Sequence, residues 1–151
     1  MDRQTVLEMM TALRLAGMRA AYDEVLAQAV KRQQSVEHVI GELLAAQLAD
    51  VQARSTAYRM GNAKFPVMKK LAEFDFAASP VNEGLVRELH EGHFLASSRN
   101  AVLIGGTGTG KTHLAIAIGA NCVRGQEARV RFFNTVDLVN RLEAEIGRAH
   151  V

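Results

Sequence analysis

Gly105-Gly106-Thr107-Gly108-Thr109-Gly110-Lys111-Thr112 fills the pattern G-x-x-x-x-G-K-[ST]. A loop that wraps a polyphosphate must turn successive backbone N–H groups inward, in conformations that a Cβ obstructs, and this is why the pattern needs its glycines. In this pattern the lysine, Lys111, reaches the β- and γ-phosphates and the hydroxyl of Thr112 ligates Mg²⁺. A chance match in a chain of this length is on the order of one in a few hundred at average glycine usage. The flanks lower that further. The apolar run Ala101-Val102-Leu103-Ile104 precedes the loop, and from Lys111 to Arg124 the residues Leu114, Ala115, Ile118, Cys122 and Val123 recur at helical spacing. A strand, a glycine loop and a helix in that order aim the positive end of a helix at an anion. The expected ligands are ATP and Mg²⁺, on Gly105, Gly106, Thr107, Gly108, Thr109, Gly110, Lys111 and Thr112.

Upstream of the loop, residues 2 to 60 are helical in pattern. Leu7, Met10, Leu13, Leu15 and Met18 form one amphipathic segment, loosened at Gly17, and Tyr22, Val25, Leu26, Ala29 and Val30 form a second. Ser35 is placed to cap a long helix whose apolar face is Val36, Val39, Ile40, Leu43, Leu44, Leu48 and Val51, ending at Gly61-Asn62. Phe65-Pro66 breaks any helix. Phe74-Asp75-Phe76 suits an extended docking segment with both rings on one surface, and Val81 to His90 reads as a short helix with Leu85, Val86 and Leu89 inward. Downstream, Arg124-Gly125 stops the helix after the loop, Arg129 to Phe133 reads as a second strand, and Asn134 or Thr135 caps a last helix. The expected fold is therefore α/β: a helical domain over 1–62, a linker and docking helix over 63–99, and over 100–151 the first two strands and helices of an incomplete P-loop NTPase core.

Composition sets the outer limits. Of 151 residues 48% are apolar, which allows a packed core, and a net charge of +2 names no partner by itself. No apolar stretch approaches a membrane span and no signal-peptide profile opens the chain, so a cytoplasmic protein is expected. The single cysteine, Cys122, suits helix packing. His90 and His93 are close in sequence but lack further ligands, and His113 suits packing or solvent contact. Hydrolysis of a nucleoside triphosphate also needs an acid at the end of another apolar strand. None follows Thr112; Asp137 comes nearest but sits in the first turn of the last helix. Doubly wound sheets use five or six strands, and two would leave apolar faces and edges open. The 151 residues are accordingly expected to be the front part of a longer protein.

Several stretches together resemble a known family. Leu13-Arg14-Leu15-Ala16-Gly17-Met18, Ala21-Tyr22-Asp23-Glu24, Phe65-Pro66, Phe74-Asp75-Phe76, and the loop continuing into Lys111-Thr112-His113-Leu114-Ala115 are similar to the IstB-like ATP-binding proteins that help insertion sequences transpose. The resemblance implies a helical N-terminal domain ahead of an AAA+ ATPase related to bacterial helicase loaders. It further implies self-assembly on double-stranded DNA with ATP and recruitment or stimulation of a transposase. The acid, sensor residues and arginine finger of such an ATPase would lie beyond Val151, so the chain's own catalysis is left open. A helicase-loader role and a non-hydrolysing DNA- or partner-binding fragment remain as alternatives. A small-molecule P-loop kinase is disfavoured by the 100-residue helical prefix. Between Asp50 and Glu73 every charged residue is basic: Arg54, Arg59, Lys64, Lys69 and Lys70. Such a run suits phosphate neutralisation on DNA, or equally a solvated helix end with cations at its C-terminus. The resemblance favours DNA.

Overall fold

The computed structural model describes residues 2–149. It contains six α-helices: α1 (Arg3–Ala12), α2 (Ala16–Arg32), α3 (Val36–Ala63), α4 (Glu83–Glu91), α5 (Lys111–Gly125) and α6 (Thr135–Ala149), with 3₁₀ turns at Leu71–Glu73 and His93–Leu95. Its contacts divide into two units, Met1–Ala57 and Tyr58–Val151.

In the first unit, Asp2 starts α1: its Oδ1 accepts from the Thr5 amide (2.8 Å) and hydroxyl (2.6 Å). These bonds hold the Asp2 carboxyl below its ordinary range. The Leu7–Met18 periodicity does not form one segment. It breaks at Arg14, whose φ of 58° is left-handed, and restarts at Ala16. Gly17 is not where the helix loosens; it lies inside α2 and is buried. A Cβ there would stand 2.5 Å from the Ala46 carbonyl oxygen and 2.8 Å from Gln47 Cα, so the missing side chain is what lets α2 touch the backbone of α3. Gln47 Oε1 accepts from the Gly17 (2.9 Å) and Met18 (3.2 Å) amides, capping α2 from its neighbour where Leu15 offers no capping group. Arg3 and Asp23 join α1 to α2 through two bonds of 2.7 and 2.6 Å. Ser35 Oγ accepts from the His38 amide, as expected of a cap. Of the α3 apolar stripe, Leu43 is buried, but Val36, Ile40, Leu44, Leu48 and Val51 are exposed.

The second unit is built on α5, whose Leu114, Ile116, Ala117, Ile118, Ala120, Cys122 and Val123 are buried. Leu71 and Val86 close over Leu114 and Ala117, and Phe74, Phe76, Val81 and Leu103 pack around them. Asn82 caps α4 by accepting from the Leu85 amide at 3.0 Å. Val86 is the inward residue of α4; Leu85 points to solvent, against expectation. Side-chain amides of α5 and its C-cap lock the far end of α4, Asn121 donating to the His90 carbonyl (2.7 Å) and Gln126 to that of Glu91 (3.0 Å).

The α/β expectation is overturned. Among the described residues there is no strand: 101–104 and 129–133 carry no regular secondary structure. Val102 and Ile104 are 79% and 92% exposed. The physical reason is that a strand exists only through hydrogen bonds to a neighbour, and the two stretches do not pair with each other. Phe132 instead donates its amide to the Ala63 carbonyl at the end of α3, at 2.8 Å. Leu95, in the 3₁₀ turn after α4, is exposed.

Candidate functional site

Two glycines of the loop have left-handed backbones, Gly108 with φ of 73° and Gly110 with φ of 84°. Around Gly108 there is open space, so its requirement is conformational alone. Gly110 is also crowded: a Cβ would lie 2.5 Å from Phe74 Cε2. Between them the loop is closed by side chains. Thr109 Oγ1 donates to the Gly106 carbonyl at 2.9 Å, and the Lys111 ammonium donates to that same carbonyl and, at 3.3 Å, to Thr109 Oγ1. The chain then enters α5 at Gly110, where no side chain caps the first turn and no acid occupies it. The leading N–H groups of a helix have no intrahelical acceptors, so this end presents amide donors and one ammonium together. That set fits an anion. The Thr112 hydroxyl, exposed on the first turn, fits one place in a Mg²⁺ shell whose other ligands would be phosphate and water.

An open cleft of about 650 Å³ adjoins the loop. Val81, Leu85, Leu89, Val102 and Leu103 make its apolar wall, and Gly105, Gly106, Thr109 and Lys111 its polar end.

Two residues in direct contact with the loop's helix were not legible as such in the sequence. The Phe74 ring, besides lying on Gly110, meets the His113 imidazole edge-on, with centroids 5.4 Å apart. His113 Nε2 donates to the Lys70 carbonyl at 2.8 Å. Phe74 and Phe76 do share a surface, edge to face at 4.9 Å; Phe74 is extended, and the chain then turns at Ala77-Ala78, where Asp75 Oδ1 accepts from both amides. The aspartate between two phenylalanines was the readable signal for that turn. Its proximity to Gly110 was not readable.

The basic run is not a uniform set of free cations. Arg54 falls in the first unit and is paired to Asp50 at 2.6 Å; Arg59, Lys64, Lys69 and Lys70 fall in the second. Lys64 and Lys70 are exposed, Lys69 and Arg59 half-buried, and the Arg59 Nε is enclosed without an acceptor. Asp137 lies in the first turn of α6, behind Asn134, whose Oδ1 accepts from the Val136 and Asp137 amides. Burial, then the charges of Arg87 and Arg124, lowers the His90 pKa below its ordinary value; burial raises that of Cys122. No helix among the described residues is long and apolar enough to cross a membrane.

Known proteins with similar sequences are encoded by insertion sequences. The chain is 38% identical over 110 residues to a protein of Geobacillus stearothermophilus named for ATP binding in insertion sequence IS5376, covering 72% of this chain and 43% of that protein. It is 31% identical over 116 residues to the corresponding IS21 protein of Pseudomonas aeruginosa, covering 76% and 44%. A third, from an IS21-like element of Bacteroides fragilis, is 31% identical over 104 residues, covering 68% and 52%. The chain thus spans about half the length of the curated relatives it matches. The family model described as IstB-like ATP binding protein matches residues 8–150, and the chain therefore belongs to that family.

Proposed function

We propose that this chain binds ATP with Mg²⁺ through Gly105–Thr112, as the nucleotide-binding part of a transposition helper. The observation that carries the reading is the joining of a closed glycine loop to an uncapped helix end, with Lys111 turned into the loop. Family membership and the ATP-binding names of the relatives support it. In this reading the backbone amides from Gly106 to Thr112 hold the phosphates, Lys111 neutralises the β/γ oxygens, and Thr112 contributes its hydroxyl to the metal. Mg²⁺ held by the Thr112 hydroxyl would supply charge neutralisation to the bound phosphates. The apolar wall of the open cleft beside Lys111 offers a surface on which the base can lie.

Assembly on double-stranded DNA, self-association, recruitment of a transposase and a cytoplasmic setting extend the proposal. The insertion-sequence origin of the relatives supports the transposition context. Arg54, Arg59, Lys64, Lys69 and Lys70 are the proposed DNA contacts; Arg54, Lys64 and Lys70 are exposed, and Arg54 is paired to Asp50. Titration with a fluorescent ATP analogue tests the central reading: saturable, Mg²⁺-dependent binding is expected, and Lys111→Ala should abolish it. Binding that ignores Lys111 rejects the site. The DNA extension is tested by reversing Arg59, Lys69 and Lys70 to Glu, which should weaken duplex binding and lower the salt slope by about 0.9 per lost phosphate contact.

A further inference from the structure

We infer that the segment Lys70–Phe76 is a strap that sets the phosphate loop, with Phe74 and His113 as positioning residues for triphosphate binding. The inference rests on the reading of Gly105–Thr112 as the triphosphate site. Gly110 is the hinge between loop and helix, and its backbone fixes where the amides of Lys111, Thr112 and His113 point. Phe74 stands directly on that hinge and leaves no room for it to swing toward the segment. One residue beyond the magnesium threonine, His113 is tethered to the Lys70 carbonyl and braced by the edge of the Phe74 ring. Since a carbonyl only accepts, Nε2 of His113 carries the hydrogen in this contact.

The strap is itself held in place independently of the loop. Glu73 and Phe74 donate their amides to the Lys70 and Leu71 carbonyls, both at 3.1 Å, and Glu73 Oε2 accepts from the Lys70 amide at 3.4 Å. Leu71 is buried against Val86, Leu114 and Ala117. Arg87 of α4 lies over the Phe76 ring at 5.5 Å and is fixed by Glu83. A pre-set support of this kind leaves less ordering to be done when the anion binds. The Phe74 side chain has no polar group to offer a phosphate, and His113 spends its Nε2 on Lys70. They act through Gly110 and the first turn of α5.

The experiment measures ATP·Mg²⁺ dissociation constants and nucleotide-free melting temperatures for the full chain and for Phe74→Ala, His113→Leu and His113→Gln. His113→Leu removes the donor and keeps bulk; His113→Gln restores an N–H that can reach the Lys70 carbonyl. Phe74→Ala and His113→Leu should weaken binding about five- to tenfold, the scale of one ring contact or hydrogen bond. His113→Gln should stay within about twofold of the parent, its donor being restored. A lowered melting temperature with unchanged affinity, or Gln behaving as Leu, overturns the inference. If Phe74→Ala does not fold, the His113 pair decides. If the parent chain takes up no ATP, the site reading has failed. The strap is then judged by amide hydrogen exchange at Lys111 and Thr112, which His113→Leu should accelerate and His113→Gln should not; equal rates reject it.

Discussion

Gly108 and Gly110 sit two residues apart in the same loop, share a left-handed backbone, and face opposite surroundings. Replacing Gly108 by Ala imposes only the backbone penalty, on the order of 1–2 kcal/mol. Replacing Gly110 by Ala adds a collision with Phe74, so the ring or the helix start must move. Gly110→Ala is therefore expected to lower the melting temperature and lose ATP binding, while Gly108→Ala keeps measurable binding; equal behaviour of the two would reject this account of the hinge. His90 makes a pH-dependent contribution. Its imidazole is partly withdrawn from water and faces Arg87 and Arg124, with only Glu91 opposing, so the folded state resists protonation. The unfolded chain takes the proton first as pH falls below the ordinary value of 6.5, and the stability present above that value is lost through the window down to the depressed folded value. Melting temperatures between pH 5 and 7.5 should fall toward acid, and His90→Gln should flatten that slope.

At the level of elements, α2 and α3 meet through an absence of side chain. Gly17 brings the α2 backbone against Ala46, Gln47 and Asp50, and Gln47 uses the closeness to cap α2. Gly17→Ala should separate the pair and destabilise the first unit by about 1–3 kcal/mol, the usual range for overpacking. Gln47→Ala should cost about 1 kcal/mol, as for other lost caps. Urea unfolding of both variants checks the order; a neutral Gly17→Ala would mean that the helices do not approach as closely as described. The readable part of these elements was their local chemistry. Ser35 is a cap in the sequence and in the structure, and of the two candidates Asn134 and Thr135 it is Asn134 that caps α6, because a cap depends on bonds within three residues. Gln47 as a cap for a helix 30 residues away was not readable, because nothing local marks it.

Across the described residues of the whole molecule, apolar surface is left open in several places. They include Val36, Ile40, Leu44, Leu48 and Val51 of the α3 stripe, the α6 face of Val136, Leu138, Val139, Leu142 and Ile146, and the loop approach at Val102 and Ile104. Each has the periodicity or composition of a buried element and lacks a covering neighbour among the described residues. The native chain should bind an apolar fluorescent dye without denaturant. Changing Val102 and Ile104 together to Lys should reduce that signal and shift stability by no more than about 0.5 kcal/mol, as for surface positions. A large loss of stability would place those side chains in a core.

What the sequence determined alone was whatever depends on neighbours in the chain: the glycine loop, the helix that leaves it, the local caps at Ser35 and Asn134, and the helical character of residues 2–60 apart from the break at Arg14. The helical periodicities said which residues are apolar but not whether anything lies against them, and Leu43 is buried while Ile40 and Leu44 beside it are not. Strand formation depends wholly on partners elsewhere, and for 101–104 and 129–133 the tertiary structure supplies none, so residues with strand composition remain unpaired. The same dependence on distant partners hid the seat of Phe74 on Gly110 and the tether from His113 to Lys70, contacts that span 36 and 43 positions and exist only because Leu71 and Val86 close over Leu114 and bring the segment there.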